Sequence, residues 1–526
     1  MLQHPLRYWF VECLWLVLIV TTAWGAFTWN QEQVFYRENV YFVDGDCYAR
    51  MTRVRDLYLS GIRPIRHHIF ENHPNGVVPH TTLPFDALIY WAAKAASGFS
   101  SKPLEVAGAW ISPLLGVALV GLMGVWTAAR RWPYRHAMTT ILAISPILAH
   151  GFQVGRPDHQ SLLVLLVGIA LAAELTSWHQ RKMCWAYCAA AAWALSLWVS
   201  LFEPLVIFAV VLVAKSMEWL IAKKHGDHSR FFSLGPSCLF GAILVFAFII
   251  DGRTPEALDP AFANWAANIG ELRSPGWSTM FSWAGWLFPL IPILLCWKAV
   301  RRGGIVNGFL GGLTALLLVL TSIHARWGYF LALAVAISLP FAFTGFRRPV
   351  VAYALFAVSL WPIASAWEST LFPSQQLITS RTEQLADAVA LRDVAIILIN
   401  LPDGGVVAPW WFSPAVVWWS GKPCVAGTSH QSLPGILDTC RVYLAKSPLE
   451  AVAILEKRDA LYVISYEPER VVSNASQVMN SRANQKPLVA TLYTTPHAFT
   501  DVFEPLYANR FFKLHRAKFP GLAKPK

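Results

Sequence analysis

The chain has 526 residues, of which 55% are hydrophobic and only 14% are charged, and its formal net charge is +12. Soluble domains carry roughly 25% charged residues, so the composition excludes a disordered chain and argues against an ordinary cytosolic enzyme. The basic residues alternate with apolar runs and form no stripe or tail, which argues against a nucleic-acid partner.

Apolar runs of about 20 residues, the length that crosses a bilayer, recur through the first two-thirds of the chain. They predict eleven transmembrane helices. The first follows Arg7 as an uncleaved anchor, because no small-residue cleavage site comes after it. We therefore expect a polytopic α-helical membrane protein, with a membrane domain at 1–369 and a small α/β domain at 370–526. The predicted spans are 9–29, 104–126, 136–151, 159–177, 184–200, 202–221, 232–250, 277–297, 304–322, 327–344 and 349–367.

The loops between these spans differ in their content of Lys and Arg. One set of alternate loops holds fourteen basic residues and the other set holds four. Because basic loops stay in the cytoplasm, the long first loop (30–103) and the C-terminal domain are predicted to be extracytoplasmic. We therefore expect a multi-pass protein of the inner (plasma) membrane. The fourteen are Arg130, Arg131, Arg135, Arg181, Lys182, Lys215, Lys223, Lys224, Arg230, Lys298, Arg301, Arg302, Arg347 and Arg348; the four are Arg156, Arg253, Arg273 and Arg326.

The acidic residues near the span ends lie mostly on the predicted outer side, although the charge rule does not use them. Ionisable groups close to the hydrocarbon are costly and often functional, so this asymmetry indicates a site that faces outward. Each of them taken singly also fits an ordinary solvated loop position. The outer set is Asp44, Asp46, Asp158, Glu203, Asp251, Glu256, Asp259 and Glu271, against Glu218 and Asp227 on the inner side.

The first outer loop opens with Asp44-Gly45-Asp46, directly before a stretch from Cys47 to Ser60 that is typical of a helix. Two carboxylates two residues apart can bind a hard divalent cation through oxygen ligands or hold a base beside an acceptor. The same loop contains several histidines, including His80, but no compact zinc motif. We therefore expect these histidines to make polar contacts with a substrate headgroup.

Three further candidates lie at predicted outer span ends. The motif Arg-Pro-Asp158-His159-Gln160 precedes an apolar run, so Asp158 is either a helix N-cap or a metal-side carboxylate with His159 or Gln160 beside it. Arg326 lies in a very short loop, where its guanidinium either snorkels to water or binds a phosphate through two hydrogen bonds. Glu271 lies in the longest loop between spans and is expected on a segment that closes over the site.

The C-terminal domain shows strand and helix signals in alternation. Gly405 to Trp411, Lys422 to Gly427 and Ala460 to Ser465 are predicted strands, and the last is nearly all apolar, as a buried parallel strand should be. Pro448 to Arg458 is predicted to be an amphipathic helix that begins with Pro. Two features stay open: an aromatic belt at the membrane interface, formed by Trp410, Trp411, Trp418 and Trp419, and a disulfide between Cys424 and Cys440.

Taken in order along the chain, these motifs resemble those of the type-C membrane glycosyltransferase superfamily, and within it the catalytic subunits of oligosaccharyltransferases. By this resemblance, Asp46 is the first-loop catalytic aspartate, Asp158 belongs to the acidic motif that coordinates a divalent metal, and Glu271 is the loop glutamate. Arg326 is similar to the arginine that holds the pyrophosphate of the donor. Where that family has Trp-Trp-Asp-Tyr-Gly, which reads the Ser or Thr of an acceptor sequon, this chain has Trp410-Trp411-Phe412-Ser413-Pro414.

The chain departs from the family pattern at positions that matter for its function. Phe412 replaces the Asp and Pro414 replaces the Gly, and a phenyl ring cannot accept a hydrogen bond from a hydroxyl. Gln160 stands where a second acidic or His metal ligand is usual, although its carbonyl oxygen can still coordinate. The catalytic half of the resemblance is therefore better supported than the protein-acceptor half.

The sequence thus predicts an integral-membrane glycosyltransferase that moves a sugar or oligosaccharide from a polyprenyl phosphate or pyrophosphate donor to an acceptor on the outer face. The acceptor is a lipid, a glycan or a protein, and the resemblance implies direct inversion at the sugar. Secondary transport is an alternative, but we find no internal repeat and few charged residues in the middle of the spans. A non-enzymatic membrane assembly protein is the other alternative.

The residues assigned by these motifs and by the resemblance fall into three groups. The catalytic candidates are Asp46, Asp44 and Glu271; the substrate-binding candidates are Arg326, His80, Trp410 and Trp411; and the ligands expected for Mg²⁺ or Mn²⁺ are Asp46, Asp158, His159 and Gln160.

Overall fold

The computed structural model describes residues 5–79, 81–180, 182–224, 234–252, 259–481 and 486–519. Within these ranges, seven helices are long and apolar enough to cross a membrane, and an eighth span results if the bent pair Pro349–Ser359 and Trp361–Leu371 is counted as one. A small sheet lies near the C-terminus. The predicted fold class, a polytopic α-helical membrane protein with a small C-terminal α/β region, is confirmed.

The helices follow one another along the chain with short connections. They are α1 (Pro5–Thr28), α2 (Gln31–Val34), α3 (Gly45–Ser60), α4 (Leu83–Ala96), α5 (Pro103–Ala129), α6 (Arg135–Ile144), α7 (Pro146–Phe152), α8 (His159–Gln180), α9 (Met183–Val199), α10 (Phe202–Lys224), α11 (Leu234–Asp251), α12 (Phe262–Ala266), α13 (Trp277–Ala284), α14 (Leu290–Arg302), α15 (Ile305–Ile323), α16 (Gly328–Phe343), α17 (Pro349–Ser359), α18 (Trp361–Leu371), α19 (Gln375–Ile399), α20 (Ser413–Ser420), α21 (Leu433–Leu444), α22 (Pro448–Lys457), α23 (Pro468–Val478) and α24 (Leu488–Thr494).

Three of the eleven predicted spans correspond to shorter helices. The span predicted at 136–151 is divided into α6 and α7 at Pro146, which lacks the N–H that a continuous helix needs. The span predicted at 277–297 is divided into α13 and α14 after Gly285, whose φ is +79°. The span predicted at 184–200 is α9, an apolar helix of 17 residues. Hydropathy averaged over a window does not detect such breaks.

The chain forms two compact units. The first unit comprises Met1–Val34, Ala107–Gly252 and Glu271–Ser374, and the second comprises Phe35–Val106, Arg253–Gly270 and Gln375–Lys526. The second unit therefore combines most of the long first loop with the C-terminal domain.

The core of the first unit is formed around α16 and α8. In the most apolar windows of the spans that contain them, 89% and 72% of the residues are buried, against 11% in α11. A helix that is apolar on all sides is stable when other helices surround it, and nearly every residue of α16 is buried. Polar chemistry cannot be placed on α16 itself, and the buried Glu174 inside α8 is already paired with Lys215 of α10 at 2.8 Å.

The second unit is built on a four-stranded sheet in the order β3-β4-β6-β5, after a two-residue pairing of β1 (Phe35–Tyr36) with β2 (Asn39–Val40). The strands β3 (Gly405–Val407) and β4 (Ala460–Tyr466) are parallel, as predicted, whereas β6 (Phe512–Ala517) pairs antiparallel with β4 and β5 (Phe503–Ala508) pairs antiparallel with β6, two strands that the sequence pattern did not predict.

Other predictions for the second unit have mixed outcomes. The predicted helix at 448–458 is confirmed as α22, with Ser447 as its N-cap. The predicted strand at 422–427 is reduced to one isolated bridge between Val406 and Cys424. Cys424 and Cys440 are both buried free thiols in the structure, so the disulfide left open above is not formed.

A buried polar cluster ties the first loop to the C-terminal segment inside the second unit. Glu71 accepts a hydrogen bond from Oγ of Ser429 at 2.8 Å and lies 3.9 Å from Nη1 of Arg53. Burial raises the pKa of Glu71, although Arg53 and Ser429 oppose the rise. Burial, together with Arg53 and His67, lowers the pKa of His68 to about 3. His68 is therefore neutral in the folded protein near neutral pH.

The neutral state of His68 predicts a loss of stability in mild acid. The unfolded chain takes up a proton at His68 below about pH 6.5, whereas the folded chain does not, so the contribution of His68 to stability falls as the pH drops from 6.5 towards 3. We expect a cost of about 2 kcal/mol at pH 5. In thermal unfolding from pH 8 to pH 5, the melting temperature of the wild type should fall more steeply than that of His68→Gln. Parallel curves would contradict the assignment.

Candidate functional site

The predicted site residues are distributed between the two units. Asp158, His159, Gln160, Glu271 and Arg326 belong to the first unit. The remaining described candidates, which belong to the second unit, are Asp44, Asp46, Trp410 and Trp411. His80, the predicted headgroup-binding histidine, lies outside the described residues.

Asp158 lies immediately before α8, where its carboxylate meets two basic side chains. Its Oδ1 is 2.8 Å from Nδ1 of His159, and its Oδ2 is 3.7 Å from Nη2 of Arg156. The backbone carbonyl of Asp158 accepts hydrogen bonds from the amide and the hydroxyl of Ser161. The carboxylate thus has a guanidinium and an imidazole as specific neighbours, which the simple N-cap alternative does not predict.

Arg156 connects the two acidic candidates of the first unit. Its Nη2 donates to Oε1 of Glu271 at 3.0 Å, and the same nitrogen lies 3.7 Å from Asp158. Its Nη1 lies 3.3 Å from Nε2 of His150, whose Nδ1 is 2.9 Å from the hydroxyl of Tyr329. Arg156 is only 5% exposed, so its charge is held in place by these partners rather than by water.

The segment that carries Glu271 is hydrogen-bonded to the turn that carries Arg326. The amide of Ala325 donates to the carbonyl of Arg273 at 2.9 Å, and Nδ1 of His324 lies 2.6 Å from the carbonyl of Leu272. The structure therefore brings Asp158, Glu271 and the Arg326 turn together. Along the chain, Asp158 and Glu271 are more than 100 residues apart, and Glu271 and Arg326 are more than 50 residues apart.

Arg326 forms an ion pair with a buried carboxylate. Its Nη2 donates to Oε1 of Glu203, which is 0% exposed and whose Oε2 accepts a hydrogen bond from Ser200 at 2.8 Å. The side chain of Arg326 itself is 26% exposed. Because Arg326 is engaged by a buried partner, simple snorkelling to water does not describe its position.

The residues at the start of α8 bear on the predicted metal. Among the residues that the structure describes, no group of three or more His, Cys, Asp or Glu side chains is arranged to hold a metal ion. Gln160 is 2% exposed, and its Oε1 is buried without a hydrogen-bond partner within the described ranges. This carbonyl oxygen, the Asp158 carboxylate and the His159 imidazole are donor types that suit a divalent cation and follow one another along the chain, so the predicted metal stays a prediction.

In the second unit, α3 begins at the Asp44-Gly45-Asp46 motif. Asp44 is the N-cap, with φ −149°, and its Oδ1 accepts a hydrogen bond from the amide of Cys47 at 3.0 Å. A Cβ added at Gly45 would lie 2.8 Å from Cγ2 of Thr428 and 2.9 Å from the carbonyl oxygen of Trp411. The acidic motif thus packs directly against the Trp-Trp segment, which comprises Trp410, Trp411 and Phe412. The capping role of Asp44 leaves Asp46 as the stronger catalytic candidate of the two.

The Trp-Trp segment is mostly occupied by contacts inside the second unit. Nε1 of Trp410 donates to Asn474 at 2.9 Å, and its ring packs edge-on against Trp265. The ring of Phe412 packs against Tyr466 and Phe512 at centroid distances of 5.0 and 5.4 Å.

Trp411 and Trp418 differ in their hydrogen bonding and burial. Nε1 of Trp411 is buried and has no hydrogen-bond partner among the described residues, so Trp411 keeps a donor. Trp418 is 5% exposed, and Arg55 donates to its carbonyl at 2.7 Å. The burial of Trp418 does not fit a membrane-interface belt at that position.

The sequence reasoning did not assign two residues that organise the first unit. Arg156 entered only as a basic residue of a predicted outer loop, although it lies two positions before Asp158. Glu203 entered only as one of several outer acids. A usable signal was present for Glu203, because Ser200 precedes it by three positions, the spacing of a helix capping box.

The sequence matches no protein-family model and no curated protein. Its fold, by contrast, is similar to that of archaeal oligosaccharyltransferase AglB from Archaeoglobus fulgidus, solved in complex with an inhibitory peptide and a dolichol-phosphate. That similarity has a TM-score of 0.64 and 14% identity, and it covers 88% of this chain and 69% of the other.

Two further structures of the Archaeoglobus fulgidus oligosaccharyltransferase give similar values. The complex with Zn and sulfate has a TM-score of 0.63 and 14% identity, covering 91% of this chain and 71% of that one. The form tethered to an acceptor peptide with an NVT sequon has a TM-score of 0.62 and 15% identity, covering 88% and 69%. The chain therefore has a fold like that of the type-C membrane glycosyltransferases, which confirms the predicted resemblance at the level of the fold, and it is a multi-pass membrane protein.

The close approach at Gly45 gives a testable consequence. Gly45→Ala should destabilise the protein by roughly 1–3 kcal/mol, because the new methyl group meets Thr428 and the carbonyl of Trp411 at less than 3 Å. Gly98→Ala is the matched control, since its Cβ has no neighbour closer than 3.9 Å. Thermal unfolding of the purified proteins measures both. Equal melting temperatures for the two variants would show that α3 does not pack on this segment.

Proposed function

We propose that this protein is a membrane glycosyltransferase that transfers a sugar or oligosaccharide from a polyprenyl phosphate or pyrophosphate donor to an acceptor outside the cytoplasm. One observation supports the proposal most directly. Two arginines and two acidic candidates, Arg156, Arg326, Asp158 and Glu271, gather at the helix ends of the first unit, in a fold like that of known glycosyltransferases. The loop-charge asymmetry supports the outward orientation and the plasma-membrane location.

On the donor side, the proposed role of the first unit is to bind and stabilise phosphate charge. Arg326 is the phosphate ligand, because its side chain is partly exposed while Nη2 of its guanidinium is anchored to Glu203. As the glycosidic bond to the phosphate breaks, negative charge grows on the leaving phosphate, and a fixed cation stabilises that charge. Arg156 holds Glu271 and Asp158 in place for this step through one terminal nitrogen, Nη2, which contacts both carboxylates.

On the acceptor side, Asp46 is proposed to orient the acceptor or to take up its proton. Asp46 lies in the first turn of α3, and Trp411 offers an indole N–H without a partner in the described part of the chain. Phe412 is packed into an aromatic cluster and presents no hydrogen-bond acceptor through its ring. Lipid, glycan and protein acceptors all remain within the proposal, and inversion at the sugar is proposed from the resemblance.

A divalent cation, Mg²⁺ or Mn²⁺, is part of the proposal. Asp158, His159 and Gln160 of the first unit would hold it. When bound, it would supply additional positive charge to the donor phosphate.

Exchange of the two aspartates tests the transfer reaction. In cells that lack the chromosomal gene, Asp46→Asn or Asp158→Asn should fail to restore the surface glycan, because each change removes a charge that the reaction needs. Mass spectrometry of lipid-linked sugars should then show the donor accumulating, at least tenfold above wild type. Asp56→Asn, on the same helix as Asp46, is the control and should restore transfer. Full transfer by both variants at wild-type expression would remove the assignment.

The metal assignment has a test that does not depend on activity. Millimolar MnCl₂ should raise the melting temperature of the purified wild-type protein, because a ligand that binds only the folded state stabilises it. Asp158→Asn should abolish the shift and Gln160→Leu should reduce it, while Asp56→Asn should keep it. An identical shift in all four proteins would argue that Mn²⁺ binds elsewhere.

A further inference from the structure

We propose that Glu203 is a positioning residue that fixes the guanidinium of Arg326 for phosphate binding, an inference that rests on the proposed function. Glu203 lies in the first turn of α10, and Arg326 lies in the turn between α15 and α16. The two residues are 123 positions apart and meet directly, Nη2 of Arg326 donating to Oε1 of Glu203.

The carboxylate of Glu203 is held by more than this one contact. Its Oε2 accepts a hydrogen bond from Oγ of Ser200 at 2.8 Å, so each carboxylate oxygen has its own donor. His159, at the start of α8, also acts electrostatically on Glu203. Glu203 therefore interacts both with the proposed phosphate ligand, Arg326, and with the proposed metal-side imidazole of His159.

The burial of Glu203 makes the pair persistent. Glu203 is 0% exposed, and a buried carboxylate that loses its cation becomes strongly destabilising. A phosphate that pulled Arg326 away from Glu203 would incur that penalty. The incoming phosphate is therefore expected to bind the guanidinium while the guanidinium stays on Glu203, rather than to displace Glu203.

The guanidinium of Arg326 has donors left for such a ligand. Only Nη2 donates to Glu203, and Nε is buried without a hydrogen-bond partner within the described residues. A guanidinium that is clamped along one direction presents its other N–H groups with a fixed orientation. This geometry suits two oxygen atoms of one tetrahedral phosphate group.

A simple capping role for Glu203 is the competing explanation. The Ser200–Glu203 spacing matches a capping box, and in that case Glu203 would only stabilise the start of α10. Capping alone predicts a change in stability without any change in the preference for phosphate, so the two explanations give different results in a binding experiment.

The experiment measures binding of undecaprenyl phosphate and of undecaprenol to the purified full-length protein in nanodiscs. The ratio of the two dissociation constants gives the phosphate preference, and the lipid tail contributes equally to both. Glu203→Ala should lower the preference about tenfold, and Arg326→Ala should lower it by a similar factor. The double variant should be no worse than Arg326→Ala alone, because Glu203 acts through Arg326.

Conservative and control variants separate positioning from other effects. Glu203→Gln should retain a preference within about threefold of wild type, because its amide oxygen still accepts from the guanidinium. Ser200→Ala, which keeps the charge but removes one hydrogen bond, should lower the preference by about threefold and decides the question if Glu203→Ala does not fold. Glu218→Gln, on the same helix, should leave the preference unchanged.

The possible outcomes distinguish this inference from the proposed function. If Arg326→Ala leaves the phosphate preference unchanged, the phosphate site and the proposed function are wrong. If Arg326→Ala lowers it but Glu203→Ala and Ser200→Ala do not, only the positioning role is wrong. If Glu203→Ala and Glu203→Gln both bind the phosphate more tightly, Glu203 competes with phosphate, which overturns the inference.

Discussion

A charge that is removed from water must meet an opposite charge or a set of hydrogen-bond partners, and this constraint organises the candidate site of the first unit. Glu203 is fully buried and is matched by Arg326. Arg156 is nearly as buried and is matched by Glu271. These ion pairs join segments that lie far apart along the chain, so the requirement to pair buried charges also determines where the proposed phosphate ligand and the acidic candidates lie.

The apolar core explains why this chemistry occupies the helix ends. In α16 almost every side chain is buried and apolar, and α8 is buried over most of its length. α16 has no polar face on which a site could be built, and in α8 the buried Glu174 is already paired with Lys215. The turn that leads into α16 and the loop that leads into α8 are the nearest points at which charged side chains can be accommodated, and they carry Arg326 and Asp158 respectively.

In the second unit, close packing and buried polar groups fix the position of the catalytic candidate Asp46. The absence of a side chain at Gly45 allows α3 to lie against Thr428 and the backbone of Trp411. Arg55, further along α3, donates to the carbonyl of Trp418 at the end of α20. The first turn of α3, with Asp46 in it, is thereby fixed within a unit that combines the first loop with the C-terminal segment.

The sequence alone determined the membrane class, most of the long spans, the start of α3, the parallel strands β3 and β4, and the residues at which charged motifs occur. These features are local, because hydropathy, alternation and turn residues act over a few neighbouring positions. The tertiary structure decided the breaks within the shorter spans, the β5–β6 edge, and above all the partners of the charged residues. Nothing in the neighbourhood of Glu203 specifies Arg326, and nothing near Arg156 specifies Glu271. Such pairings depend on how helices pack across more than 100 residues of sequence, and that packing is a property of the whole folded chain.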